Sequence, residues 1–484
     1  MTSALRVRHG ARVAGFVAIA AASSLSTARV AAAQRLDRSK RPSAPPPARI
    51  TFPTVRSETL DNGLVVRVVE NHALPLVAVR VAIEGGALLD PDGKEGLFTL
   101  DTLLLRDGTT SMTGEQLAEA IDELGAPISP TRVTTVTQEL ERSLDIIGDM
   151  LMHPVFPEDA IGRRRAAIES AMQRAEGLSS TPALRIFNVL IFGATHPYAR
   201  TPSATSLASI TRDDLVRFHD RYIQPQNVTL TIVGDVTPTS ASTLVKRVFG
   251  TWKKTGDRVT ISVPAAPAPE PTTIYLYDRP GSKQSTVVMG QAGPPETTPD
   301  FFALETVGAL FGGPTGSRLT QALREGHALT YSVAHLPMWR RANDPSSIFG
   351  SSNIDPAKTD TAIKVWLGEL TALVGTRPPV DSELTFARSV TARALVTRIE
   401  TLDEIANRLN LVALNDYPPT YYNDYIAGID HVSLNELEPA ARRHIDPAHT
   451  VIVVVGDRKL IESGIRAANI APVVIVDEKG NPIQ

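Results

Sequence analysis

Lys94-Glu95-Gly96-Leu97-Phe98-Thr99-Leu100-Asp101-Thr102-Leu103-Leu104-Leu105-Arg106-Asp107-Gly108-Thr109 is the stretch on which the reading of this chain turns. Gly96 and Gly108 bracket a Leu-rich run, which predicts a buried helix of about three turns. Positions 99, 102 and 103 stand at i, i+3 and i+4, so they share one helical face. That face carries Thr99, Thr102 and Leu103. A neutral hydroxyl is a poor metal ligand and a Leu side chain is none. Asp101 points to roughly the opposite side of the helix and cannot substitute.

The flanks give this helix a frame. Leu60-Asp61-Asn62-Gly63-Leu64 opens a hairpin, Glu70-Asn71-His72-Ala73-Leu74-Pro75-Leu76-Val77 follows, and then Gly85-Gly86-Ala87-Leu88-Leu89-Asp90. Together with the helix, this series resembles the insulinase (pitrilysin, mitochondrial processing peptidase) family of inverted-zincin metallopeptidases. In that family the same helical face carries His-x-x-Glu-His, in which two imidazoles hold zinc and the Glu is the general base. The resemblance therefore implies a member whose metal-binding helix lacks its ligands. The family's third ligand is a Glu on a later helix. Here Ile168-Glu169-Ser170-Ala171-Met172 occupies that region, with Ala171 in the register of the Glu and Glu169 close by. One carboxylate does not make a catalytic site that needs three protein ligands. No metal, no catalytic residue and no cofactor are expected in this chain, and zinc is expected in a partner subunit.

Composition narrows the function classes. The 484 residues are 42% hydrophobic, enough for more than one core, and the formal net charge is −3. Acidic and basic residues alternate without a basic stripe, which excludes a nucleic-acid surface. There is no cysteine, which removes disulfides, thiol nucleophiles, Cys-ligated metals and a lipidated N-terminal Cys. Arg6, Arg8 and Arg12 precede the apolar run from Val13 to Ala22, and Ala31-Ala32-Ala33 follows as a small-residue cleavage site. Residues 1–33 are thus expected to be a signal peptide, and the protein to be exported, periplasmic and not membrane-spanning after cleavage; an uncleaved anchor is the alternative.

Residues 34–50 read as a Pro-rich lead-in. A first domain is expected over 51–263, a Pro/Ala linker over 264–272 and a second domain over 273–484. In the first, Val66–Val69 and Val77–Ile83 read as strands of a meander. Thr113-Gly114-Glu115-Gln116 fits a capping box before Leu117, Ile121 and Leu124, and Gly125 is placed to end that helix. Leu140, Leu144, Ile147 and Leu151 mark another helix, and Arg163–Ala175 a further one. Val228–Gly234 reads as a strand. The motif Ile210-Thr211 … Leu215 … Pro225 … Gly234-Asp235 recurs as Val432-Ser433 … Leu437 … Pro447 … Gly456-Asp457, every position displaced by 222 residues, which argues for a duplicated domain. The expected fold class is α+β: two homologous domains, each a mostly antiparallel sheet with helices on one face, forming a clam shell.

Four constellations remain. Of ten histidines, none forms a metal-ligand spacing, and His444 and His449 flank Pro447 in a turn. Ser317-Arg318-Leu319 through Leu323-Arg324-Glu325 to Leu329-Thr330-Tyr331-Ser332-Val333 resembles the family's carboxyl-terminal segment. There an Arg and a Tyr, seven apart, reach the substrate backbone, and they map onto Arg324 and Tyr331. A guanidinium and a phenol are both donors, suited to peptide carbonyls; on spacing alone they read as a helix end and a strand start. Gly312-Gly313-Pro314-Thr315-Gly316-Ser317 lacks the spacing of a phosphate loop and reads as a turn between helices. Val77–Glu84 is either an ordinary strand or the sheet edge along which the family's substrates add a strand. The stretch between Gly125 and Leu140 is shorter than the family pattern by about one strand, so the first sheet is expected to be trimmed or open-edged. The resemblance otherwise covers about Ser57 to about Ala468. It implies a non-zinc subunit of an exported insulinase-type peptidase, active only in a hetero-oligomer with a zinc-bearing subunit of the same family and lending Arg324 and Tyr331 to bind peptide substrate. The alternative is a non-enzymatic peptide-binding or scaffold protein of the periplasm.

Overall fold

The computed structural model describes residues 52–483; the expected signal peptide and lead-in lie outside the described residues. Two mixed sheets organise the chain. The first contains β1 (Arg56–Thr59), β2 (Val65–Glu70), β3 (Leu76–Ile83), β4 (Arg132–Val136) and β5 (Val228–Gly234), in the order β1-β2-β5-β3-β4. The second contains β6 (Thr273–Asp278), β7 (Ser285–Gly293), β8 (Val333–Met338), β9 (Ser346–Ile354), β10 (Val451–Gly456) and β11 (Val473–Val476), in the order β11-β6-β10-β7-β9-β8. The fold is α+β with two similar halves facing one another, as expected.

The expected meander is corrected. β5, from the far end of the first half, lies between β2 and β3, parallel to the former and antiparallel to the latter. Its apolar residues account for this place. Leu230 and Ile232 face the helices, Val233 faces the opposite side, and all three are fully buried. A strand apolar on both faces belongs in the middle of a sheet.

The 222-residue repeat is structural. The helix Arg212–Tyr222 matches Leu434–His444, the turn Pro225–Asn227 matches Pro447–His449, and β5 matches β10. Each of those helices opens with a capping box, Thr211 with Asp214 and Ser433 with Glu436. β10, like β5, is parallel to one neighbour and antiparallel to the other. β7 corresponds to β3 and β9 to β4, but β8 has no counterpart. The first sheet is therefore one strand shorter, ending at β4 where the second continues to β8.

Helices do not pack on one face only. The helix Ser180–Phe192 lies on the second sheet, where Ala183, Ile186 and Phe187 meet Val288, Val453 and Val455. Its mate at the same offset, Leu402–Leu414, lies on the first sheet, where Ile405, Ala406 and Leu409 meet Val69, Ala78 and Val233. Each half thus covers the other's sheet. Burying a side chain such as Leu409 contributes about 1.5–3 kcal/mol, so the exchange couples the stability of the halves. Among the described residues no helix is long and apolar enough to cross a membrane.

Candidate functional site

The deciding helix spans Leu97–Leu104, eight residues and just over two turns, shorter than expected. Gly96 delays its start. It sits at φ +100°, and a Cβ there would come within 2.7 Å of Leu207. The Asp90 carboxylate then accepts from Gly96 N (2.8 Å) and Phe98 N (2.8 Å), occupying donors a helix start leaves free. Leu97, Leu100, Asp101 and Leu104 are buried.

Asp101 is fully buried, with Oδ1 3.3 Å from His219 Nδ1. His219 Nε2 lies 3.0 Å from the Leu151 carbonyl, which can only accept, so that nitrogen carries a hydrogen. Asp101 and His219 consequently share one further proton. Burial pushes the Asp101 carboxyl above its ordinary value, against the pull of His219. This pair is part of the core on the side of the helix away from the metal face.

On the metal face, Thr99 is exposed, Leu103 is 37% exposed, and the Thr102 hydroxyl donates to Phe98 O (2.9 Å). On the neighbouring helix Glu158–Glu176, Glu169 is half-buried and Ala171 exposed. Two hydroxyls and an aliphatic side chain do not fit zinc, whatever Glu169 adds. Among the described residues no three His, Asp or Glu side chains are arranged to hold a metal ion. His72 is bonded to Glu70 (2.7 Å) and Asp235 (2.6 Å), His444 to Asp300 (2.7 Å) and His449 to Asp446 (2.6 Å).

Arg324 and Tyr331 are brought together. Arg318 begins a short helical turn that continues as a π-helix over Gln321–Gly326. Such wide turns are frequent at functional sites. The chain closes with Leu329 N donating to Leu323 O (2.8 Å), which returns Tyr331 over Arg324, its ring centroid 4.9 Å from the guanidinium carbon. Tyr331 is 82% exposed. Arg318 is structural: it donates to Glu383 (2.5 and 2.6 Å) and to the carbonyls of Arg377 and Pro378. Gly312–Ser317 is a turn between two helical segments.

Between the halves lies a cavity of about 500 Å³, walled by Val81, Ile83 and Phe98 on one side and Trp339, Arg340 and Asn410 on the other. Neither Arg324 nor Tyr331 lines it. Of the two readings of Val77–Glu84, the ordinary strand holds: β3 is paired with β5 on one side and, over Leu76–Arg80, with β4 on the other, so β4 is the edge. The paired β3 results directly from its almost unbroken apolar run, buried on both faces.

A second cavity of about 430 Å³ went unnoticed in the sequence. Its wall holds Glu296, which accepts from the hydroxyls of Tyr417 and Tyr421 (2.6 Å for the latter). Beside it Glu305 accepts from Trp339 Nε1 (2.5 Å) and the Tyr425 hydroxyl (2.5 Å). Burial raises both carboxyl pKa values, against the tyrosine hydrogen bonds. Tyrosines at 417, 421 and 425, four apart, were the available signal.

Comparison with known proteins agrees with the fold. The family described as Peptidase M16 inactive domain matches residues 209–389. The probable mitochondrial-processing peptidase subunit beta of Arabidopsis thaliana is 24% identical over 434 residues, covering 84% of this chain and 79% of that protein. The solved structure of a peptidase M16 inactive domain from Pseudomonas fluorescens superposes with a TM-score of 0.73 at 21% identity, covering 83% of this chain and 98% of that one. The first half of the periplasmic protease PqqL from Escherichia coli gives 0.70 at 16% identity, covering 89% and 97%. The two structures share the fold, and the family match spans the junction between the halves. Residues 209–389 are thus similar to the peptidase M16 inactive domain, and most of the chain is similar to a processing-peptidase subunit, in a sequence without the His-x-x-Glu-His motif.

Proposed function

We propose that this chain is the non-zinc subunit of an exported insulinase-type peptidase, working with a zinc-bearing subunit of the same family in a hetero-oligomer. The observation that carries this reading is a metal face of Thr99, Thr102 and Leu103 on an otherwise intact helix beside an open cavity. The family's inactive-domain description supports it. Hydrolysis belongs to the partner, and this chain binds and orients an extended peptide, with the free edge of β4 available to pair with it. Arg324 and Tyr331 present two donors for peptide carbonyls from an exposed, mutually stacked position. Export rests on the charged, apolar and small-residue segments within residues 1–33.

The test is peptide cleavage by the chain mixed with a purified partner that carries His-x-x-Glu-His. Arg324→Ala and Tyr331→Phe are each expected to lower kcat/KM of the pair by at least about tenfold. Unchanged cleavage with both variants would remove their assigned role. One observation favours the non-enzymatic reading: Tyr331 points to solvent rather than into the inter-half cavity. On that reading no partner gains activity and the chain only captures peptides.

A further inference from the structure

The wall of the inter-half cavity is cationic. Two arginines, Arg340 and Arg341, line it, and no Asp or Glu does. Its remaining surface is largely apolar and aromatic, so a charge inside interacts more strongly than it would in water.

The two arginines differ. Arg341 is engaged by Glu84 (3.5 Å) and Asp344 (3.9 Å). Arg340 is held by aromatic faces instead, its guanidinium carbon 4.1 Å from the Tyr198 ring centroid and 5.2 Å from that of Phe192. The nearby Asp344 carboxylate is occupied by the Tyr198 hydroxyl, 2.5 Å away. Arg340 Nε is buried and has no hydrogen-bond partner among the described residues, and the same is true of Asn410 Oδ1 on the same wall. A stacked guanidinium presents a rigid, planar fork. Arg340 Nε and Asn410 Oδ1 are closed off from the cavity, and the part of Arg340 left open to it is the outer pair of guanidinium nitrogens, which no Asp or Glu engages among the described residues.

We propose that Arg340 is a specificity-determining residue that takes a carboxylate of a bound peptide on its outer guanidinium nitrogens. The carboxylate has two sources of the same chemistry, an Asp or Glu side chain or a free C-terminus. The guanidinium fork matches a carboxylate with two parallel hydrogen bonds, and Phe98 and Trp339 cover the aliphatic part of the ligand. This deepens the reading above and rests on a peptide entering the cavity, but it needs no partner subunit.

Binding to the chain alone tests it. The full chain is equilibrated with nonapeptide pools of randomised flanks: capped at both ends with central Glu, Gln or Lys, and uncapped at the C-terminus with central Gln. Bound peptides are quantified by mass spectrometry. Enrichment of at least about tenfold is expected for a pool carrying the carboxylate over its neutral capped counterpart. The Glu-centred pool would identify a side chain and the free-acid pool a C-terminus. Arg340→Gln should abolish the preference, Arg340→Lys should retain part of it, and Arg341→Gln should leave most of it, with thermal melts confirming that each variant is folded. No preference in the wild type, or a preference that survives Arg340→Gln, overturns the proposal. If Arg340→Gln does not fold, the Lys variant decides: a preference equal to the wild type overturns a forked contact. Carboxylate preference without any gain of cleavage on adding a partner would leave this inference standing while the subunit reading falls.

Discussion

The two sheets follow one plan and differ at their edges: β1 borders the first antiparallel to β2, β11 borders the second parallel to β6, and the far edges differ by one strand. In the second, β9 is followed outward by β8; in the first, the equivalent strand β4 is the last. Removing an outer strand left the core intact, because the residues that fill it come from the inner strands and from the helices above them. What changed is the position of the border. Both border strands pack one face on helices of their own half and end in an exposed apolar side chain, Met338 at 48% on β8 and Val136 at 45% on β4, so the same kind of border lies one strand further in on the first sheet. The lesson is that the duplicated scaffold tolerates loss where a strand has only one neighbour and resists it where faces are shared.

The reciprocal helices give the sharpest way to break this comparison. Phe187 is fully buried against the second sheet, 5.2 Å from Phe349, and Leu409 is fully buried against the first. Phe187→Ala is expected to cost about 3–5 kcal/mol and Leu409→Ala about 2–5 kcal/mol. Denaturant unfolding followed by both circular dichroism and tryptophan emission should show one shared transition shifted in each variant. Two separated transitions would show that the halves are independent.

A smaller effect separates the matched capping boxes. Asp214 is drawn upward by burial, but the Lys94 ammonium, the Thr211 N–H and hydroxyl and the Arg217 guanidinium outweigh it, leaving its pKa well below the ordinary carboxylate value. Its counterpart Glu436 is lowered by the Ser433 hydroxyl and N–H and is exposed. Asp214→Asn is expected to cost about 2 kcal/mol at neutral pH, against about 0.5 kcal/mol for Glu436→Gln. A depressed carboxylate stabilises above its unfolded pKa of about 3.9 and loses that contribution as pH falls toward its folded value. The gap between wild type and Asp214→Asn should therefore close below about pH 4. A gap that persists in acid would remove Lys94 and Arg217 as its source.

The finest probe is amide hydrogen exchange at the differing edge. Val81 N donates to Thr131 O and Thr137 N to Pro75 O, so the alternating antiparallel pattern turns Val133 and Thr135 toward β3 and leaves Thr134 and Val136 facing outward. The outward pair should exchange much faster than the inward pair, and a ligand that adds a strand should reverse this. Equal protection in the free chain would mean that the edge is already covered.

Much of this was legible beforehand. Capping boxes, helix spans and the 222-residue repeat depend on residues close in sequence: Thr113 caps as read, and Thr211 and Ser433, read as matched positions of the repeat, cap their helices too. The placement of β5 was not legible, since a strand's neighbours are chosen across the whole domain. The metal face could be named because three positions on one helix define it. The clamps on Glu296 and Glu305 escaped because they join segments more than a hundred residues apart. Arg340 escaped for another reason: its distinction is the lack of a carboxylate, which no local pattern records.

The crossed helices have a mechanical consequence. Each sheet is roofed by a segment rooted in the opposite half, so prising the halves apart would strip an oily surface from both at once. A chain bolted in this manner behaves as one jaw. A gape between the halves wide enough to admit a folded or bulky cargo would leave both of those surfaces open to water.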